Sequence, residues 1–459
     1  MKKNDLITVT IEGYTSEGAG VAHPEGMATF IPGTLKGETC EVRILKVAKT
    51  VAYGKLERVI TPSPARVVPD CAVYPKCGGC ALRHMNYAEE LRYKESRVRD
   101  ALARIAGIAW GTPDAPVWDG IDGAADTDGC RNKAQFPVGG VPGHAVTGFY
   151  RANSHDIVAT DMCRLQTPEA NACVKAVREW MNAHRIAPYE EKNASGLVRH
   201  IFTRTAQCDR RTVVTLVVTR DKIPEARDLL DRLQKACPAV SGVVLNVNAA
   251  RTNVILGNKY RTLWGDDTLT DTLGGLTFAI RPASFYQVNP AQAEVLYSRA
   301  RAYLLDGGFH PALLLDLYCG TGTIGLYCAN ACGHVTGVEV VEQAVEDARG
   351  NAVRNGIANA DFLCGDAGTV ARTLRSDGIV PDAVVVDPPR KGLDETAAAT
   401  ILEIAPQRVV YVSCDPATLA RDIGRLSHMY RLTRARAVDM FPRTAHVETV
   451  VLMSRVEGK

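Results

Sequence analysis

Apolar and polar residues alternate along Leu6-Ile7-Thr8-Val9-Thr10-Ile11 and again along Glu41-Val42-Arg43-Ile44-Leu45-Lys46-Val47, with a turn at Gly18 to Gly20 between them. A period of two sends successive side chains to opposite faces, so residues 5–60 are predicted to form a small all-β unit whose short strands suit an OB-like barrel. Thr61-Pro62-Ser63-Pro64 breaks the pattern and reads as a linker. Leu91, Val98, Leu102 and Ile105 recur at helical spacing, predicting an amphipathic helix over residues 87–105. A mixed α/β region follows over residues 131–277, with strands near 200–204, 213–218 and 243–245 and a helix over 224–237.

From about residue 291 the pattern changes to continuous apolar runs, at 313–317, 334–339, 383–386 and 408–412, separated by helical stretches such as 341–354. Strands apolar on both faces and alternating with helices indicate a doubly wound, Rossmann-like parallel sheet, which binds ligands at the carboxyl ends of its strands. The chain thus reads as a multidomain α/β protein with units at residues 1–62, 63–282 and 283–459.

Composition narrows the setting. The chain has 459 residues, a net charge of +3 and fourteen cysteines. No apolar run approaches the roughly 20 residues that span a bilayer, and the first residues lack the apolar core of a signal peptide. A cytoplasmic protein, without a membrane partner and working as a monomer, is the expectation. Reduced thiols then bind metal, do chemistry or pack. Arg421, Arg425, Arg431, Arg434, Arg436 and Arg443 make one stretch basic, as a nucleic-acid surface or simply as a solvated one.

Gly320-Thr321-Gly322-Thr323-Ile324-Gly325 fits a strand-to-helix turn in which absent side chains let backbone approach a ligand. Glu339, ending the next strand, is placed to accept hydrogen bonds from two ribose hydroxyls. These features leave a dinucleotide and S-adenosylmethionine both open. Asp366, placed to face an adenine, and Asp387-Pro388-Pro389, a carboxylate held by rigid prolines, favour the methyl donor.

Val410-Tyr411-Val412-Ser413-Cys414-Asp415-Pro416 delivers a cysteine from an apolar strand into an Asp-Pro turn, a mounting suited to a nucleophile. Carbon 5 of uracil attacks a sulfonium methyl group only after a thiolate adds to carbon 6, and a base must then remove the carbon-5 proton. Cys414 suits the first role and Glu448 the second, with Arg390 or Arg421 as candidates for lowering the thiol pKa. Farther upstream, Cys71, Cys77 and Cys80 crowd one loop, and Cys163 is a distant fourth thiol. Four thiolates suit an iron–sulfur cluster or zinc, and spacing alone does not choose.

Phe285-Tyr286-Gln287-Val288-Asn289, Asp316-Leu317-Tyr318-Cys319-Gly320-Thr321-Gly322-Thr323, Asp387-Pro388-Pro389-Arg390, Ser413-Cys414-Asp415-Pro416 and His446-Val447-Glu448 together resemble the RNA 5-methyluridine methyltransferase family. The resemblance implies an N-terminal TRAM domain, a central domain with a four-cysteine cluster and a catalytic methyltransferase domain. It further implies that Gln287, Tyr318, Thr323, Glu339, Asp366 and Asp387 line the pocket for S-adenosyl-L-methionine and the target base. Many relatives carry Asn where Thr323 stands.

The ribosomal-RNA branch of that family binds a [4Fe-4S] cluster, so the resemblance favours iron over zinc at Cys71, Cys77, Cys80 and Cys163. It makes 23S rRNA, before or during ribosome assembly, the expected partner, with tRNA as the alternative substrate. Arg131-Asn132-Lys133-Ala134-Gln135-Phe136 is a candidate RNA contact. The rival classes are an iron–sulfur, dinucleotide-dependent oxidoreductase and an RNA-binding protein with an inactive catalytic half.

Overall fold

The computed structural model describes residues 1–74 and 76–456, so the last three residues of the expected third unit lie outside it. Six strands, Leu6–Thr10, Gly13–Tyr14, Gly20–Ala22, Ala28–Ile31, Thr39–Val47 and Val51–Thr61, form the N-terminal sheet. Alternation works as expected: Cys40, Val42 and Ile44 are buried along Thr39–Val47, and Cys40 and Val42 pack with Val9, Ile11 and Ile31. The paired order runs from Leu6–Thr10 at one edge to Gly13–Tyr14 at the other, two strands that are neighbours in the chain.

The second sheet runs Ile157–Ala159, His144–Tyr150, Lys133–Val141, Val198–Thr205, Thr212–Val218, Val240–Val247 and Lys259–Gly265 in spatial order. The helices Pro168–Ala183 and Ala226–Ala236 supply Val177, Trp180, Leu229 and Leu233 to a core shared with Ile201, Leu216 and Leu245 of the sheet.

The third sheet has eight strands in the order Ala360–Cys364, His334–Glu339, Leu313–Leu317, Ala383–Val386, Arg408–Ser413, Glu448–Arg455, Tyr430–Val438 and Val117–Asp122. The first five are parallel, and Glu448–Arg455 joins Arg408–Ser413 antiparallel. The chain order reverses on either side of Leu313–Leu317, which opens a crevice at the carboxyl ends. Continuous apolar runs are explained by cover on both faces. Ala383, Val385, Val410 and Val412 pack beneath the helix Pro290–Leu304, whereas Val384, Val386, Val409 and Tyr411 pack beneath Glu395–Ile404 and Pro416–Leu426. Among the described residues, no helix is long and apolar enough to cross a membrane.

The unit expected at residues 63–282 does not stay whole. Its helix Tyr87–Ala106 buries Val98 and Leu102 in the catalytic core, and Val117–Asp122 pairs in parallel with Tyr430–Val438 at the sheet edge. The hairpin of Leu269–Leu273 and Leu276–Ile280 likewise contributes Leu273, Phe278 and Ile280 to that core. Pairing between segments about three hundred residues apart leaves no periodic signal.

Two local expectations are also corrected. Ile105 is exposed, while Glu90 and Lys94 lie buried on the helix face, where Lys94 Nζ reaches Glu90 at 2.8 Å and Asp439 at 2.6 Å. The arginine stretch is neutralised partly from outside it and partly by its own Asp422. Arg434 pairs with Asp119 at 2.8 Å and Asp306 at 2.7 Å, Arg436 with Asp122 at 2.6 Å, and Arg421 and Arg425 with buried Asp422.

Candidate active site

Leu313–Leu317 ends in a tight loop before the six-residue helix Thr323–Cys328. Tyr318 has φ of +64°, a left-handed conformation costing a non-glycine residue about 1–3 kcal/mol, so the loop is held against strain. Gly322, at φ +78°, is required because a Cβ there would lie 2.8 Å from the Phe362 ring. Asp316 Oδ2 accepts from the Gly325 amide at 2.8 Å, and Glu339 accepts from Gly320 at 3.2 Å and Val341 at 3.0 Å. Burial pushes the Asp316 carboxyl up to about 8.

Cys414 follows directly on Arg408–Ser413. Asp415 caps the helix Pro416–Leu426, accepting from the Ala417 amide at 2.9 Å and the Thr418 amide at 3.0 Å, while the Ser413 hydroxyl accepts from the Asp415 amide at 3.2 Å. This cap locks the turn that presents the thiol. Glu448 opens the neighbouring strand, Glu448–Arg455, and is 4 % exposed. Asp387 follows Ala383–Val386.

A single cavity of about 1290 Å³ is lined by Gln287, Tyr318, Thr323, Glu339, Asp387, Cys414 and Glu448 together. Asp366 is not among its walls. It is exposed and caps the helix Ala367–Ser376, accepting from the Thr369 amide at 2.9 Å. Phe285 and His446, which the sequence marked only as motif residues, also line the cavity, as does Tyr297, which sequence reading missed. Tyr297 sits inside a helix with nothing in its local sequence to distinguish it from a core aromatic.

The electrostatics favour neutral forms. Burial first, and then the charge of Asp387, pushes the Glu448 carboxyl up to about 8, against the opposing Arg390 guanidinium. Asp387 keeps part of its surface on the cavity, yet the surrounding protein raises its carboxyl to about 7 by burial. Burial, followed by Glu448 and Asp387, raises the Cys414 thiol to about 11, and Arg390 opposes this. Arg421 instead donates to Asp422 at 2.9 Å and to the Lys391 carbonyl at 2.7 Å.

The segment 131–136, expected to meet RNA, alternates: Asn132, Ala134 and Phe136 are buried, while Arg131, Lys133 and Gln135 are half-buried. Phe136 is core, and Asn132 Nδ2 donates to the Gln287 carbonyl at 3.1 Å, so the amide positions the cavity wall. Cys71, Cys77, Cys80 and Cys163 do converge on a second, smaller cavity of about 60 Å³, with Arg83 and Arg131. The loop is anchored by Gly78, whose amide donates to Tyr150 at 2.9 Å and whose Cβ, if present, would lie 2.9 Å from the Ala152 nitrogen. Burial raises the thiols of Cys77, Cys80 and Cys163, the last to about 11. Among the described residues, no three His, Cys, Asp or Glu side chains form a group able to hold a metal ion.

Residues 277–456 match the family model described as tRNA (Uracil-5-)-methyltransferase, and residues 2–56 match the TRAM domain. A Clostridium tetani protein described as an uncharacterized RNA methyltransferase is 41% identical over 456 residues, covering 99% of this chain and 97% of its own. The chain belongs to the RNA uracil-5-methyltransferase family. A Bacillus cereus member with the same description is 41% identical over 459 residues, covering 100% of this chain and 98% of its own. Among solved structures, the Pyrococcus abyssi tRNA (uracil-54, C5)-methyltransferase in complex with S-adenosyl-L-homocysteine superposes with a TM-score of 0.76 and 26% identity. That match covers 97% of this chain and 99% of the other. Family membership displaces the dinucleotide oxidoreductase reading.

Proposed function

We propose that this protein transfers a methyl group from S-adenosyl-L-methionine to carbon 5 of a uridine in RNA, through a covalent bond to Cys414. The carrying observation is that Cys414 and Glu448 border one cavity with the glycine loop, Glu339 and Asp387. Gln287, Tyr318, Thr323, Glu339 and Asp387 would hold the donor and the base. The donor, when bound, supplies an electrophilic methyl group on a sulfonium cation. Asp366 would face the adenine of the donor, its cap on Thr369 using Oδ1 and leaving Oδ2 free.

In this reading the Cys414 thiolate adds to carbon 6 and pushes electron density onto carbon 5, which takes the methyl group. Glu448, as carboxylate, removes the carbon-5 proton, and the electron pair left behind expels the thiolate. Because both groups are neutral near pH 7 without ligands, the reactive forms must be generated in the filled site. Arg390 favours the thiolate.

The four converging cysteines are proposed to hold a [4Fe-4S] cluster that shapes the RNA-binding surface. Arg83 and Arg131 favour the thiolate form of Cys80, as such ligation requires. Four thiolates suit zinc as well, and the preference for iron rests on the family resemblance.

For the substrate, 23S rRNA is the proposal and tRNA the second reading. The second is favoured by the Pyrococcus abyssi enzyme, which is named for tRNA yet spans the same architecture. Methyl-labelled donor incubated with unmodified 23S rRNA and with unmodified tRNA decides the matter. Label in 5-methyluridine of 23S rRNA supports the proposal, label in tRNA alone moves the substrate, and label in neither removes the activity. Iron and sulfide analysis of anaerobically purified protein tests the cluster.

A further inference from the structure

We infer that Tyr297 is a positioning residue that joins the cofactor loop to the target-base side of the cavity, an inference that rests on the methyltransferase reading. The helix Pro290–Leu304 carries Tyr297 into the cavity wall, where it is only 2 % exposed. Thr323 Oγ1, at the start of the glycine-loop helix, donates to the phenolic oxygen at 3.3 Å. Gln287, Asp387 and Glu448 line the same cavity, and the two carboxyls lie close enough to act on the hydroxyl electrostatically. The buried hydroxyl thus bonds the glycine-loop helix from within a cavity whose other walls carry Gln287, Asp387 and Glu448.

Burial, with the Asp387 and Glu448 carboxyls, raises the phenol pKa, so the hydroxyl keeps its proton. A buried phenol both donates and accepts, and each partner it fixes loses rotameric freedom before ligands arrive. The ring itself packs against Tyr327, with centroids 6.2 Å apart, and that contact needs no hydroxyl. Tyr297→Phe therefore removes the link while leaving the packing.

The test is a double-mutant cycle on S-adenosyl-L-homocysteine binding, measured by calorimetry on the full chain without RNA, using Tyr297→Phe, Thr323→Val and the double variant. Loss of one hydrogen bond weakens binding about 3- to 10-fold in each single variant, and the double variant is expected to lose no more than the weaker single. The pH profile of kcat for methyl transfer is expected to shift its midpoint in Tyr297→Phe, because the hydroxyl facing Asp387 and Glu448 is gone. Losses that multiply in the double variant, or binding unchanged in Tyr297→Phe, would overturn the inference. A wild-type protein that binds the homocysteine product yet methylates no uridine would sink the substrate reading and leave the cycle to decide Tyr297.

Discussion

Cys414 and Glu448 stand one step beyond the last hydrogen-bonded pair of two antiparallel strands. Ser413 pairs with Thr449, so continuing the register sets Cys414 opposite Glu448. Both side chains border the same cavity. A flat pyrimidine between them could offer one ring carbon to the thiol and the adjacent one to the carboxyl.

Cys414→Ala is expected to retain RNA binding and to transfer no detectable methyl group. Filter binding and label incorporation measured on one preparation check this. Turnover within tenfold of wild type would remove the covalent step.

Glu448→Gln should form the adduct and fail to resolve it, since proton removal is lost while the thiol remains. A positioned base contributes about 10²–10⁴-fold, so turnover should fall by that order. Denaturing gels should then show a protein–RNA band absent from the Cys414→Ala variant.

The buried carboxyls also set a pH trend. Glu448 rises from its ordinary 4.5 to about 8 and Asp387 from 3.8 to about 7 on folding. The folded chain holds these protons where the unfolded chain has released them. Their stabilising contribution is complete below about pH 4 and is lost as pH rises through about 7 to 8. Thermal melting of the ligand-free protein is expected to fall from pH 6 to pH 9, and to fall less steeply in Glu448→Gln.

Gly322→Ala is expected to destabilise the fold by about 1–3 kcal/mol, through both the left-handed backbone and the 2.8 Å approach to Phe362. Denaturant titration reads the stability, and homocysteine-product binding should weaken alongside it.

Arg436→Ala leaves Asp122 with a single arginine partner, Arg299 at 2.9 Å, in place of two. A loss of about 1–3 kcal/mol is expected, since a charged hydrogen-bonding partner disappears from a partly buried site. RNA affinity and its salt dependence should stay unchanged. A flattened salt slope would instead return the arginine stretch to a nucleic-acid surface.

What the sequence by itself determined was everything local. The runs at 313–317, 334–339 and 383–386 are strands to the residue, because continuous apolar segments bounded by turns have one low-energy use in a two-face-covered sheet. Gln287, Tyr318, Thr323, Glu339, Asp387, Cys414 and Glu448 were nameable because each lies at a strand end or in a short motif. Only the tertiary structure decided partners. Asp119 and Asp122, about three hundred residues upstream, turn a basic stretch into ion pairs, Asn132 serves Gln287 instead of RNA, and Tyr297 meets Thr323. Periodicity records which face of an element is buried, whereas the group that covers that face is chosen by the packing of the whole chain.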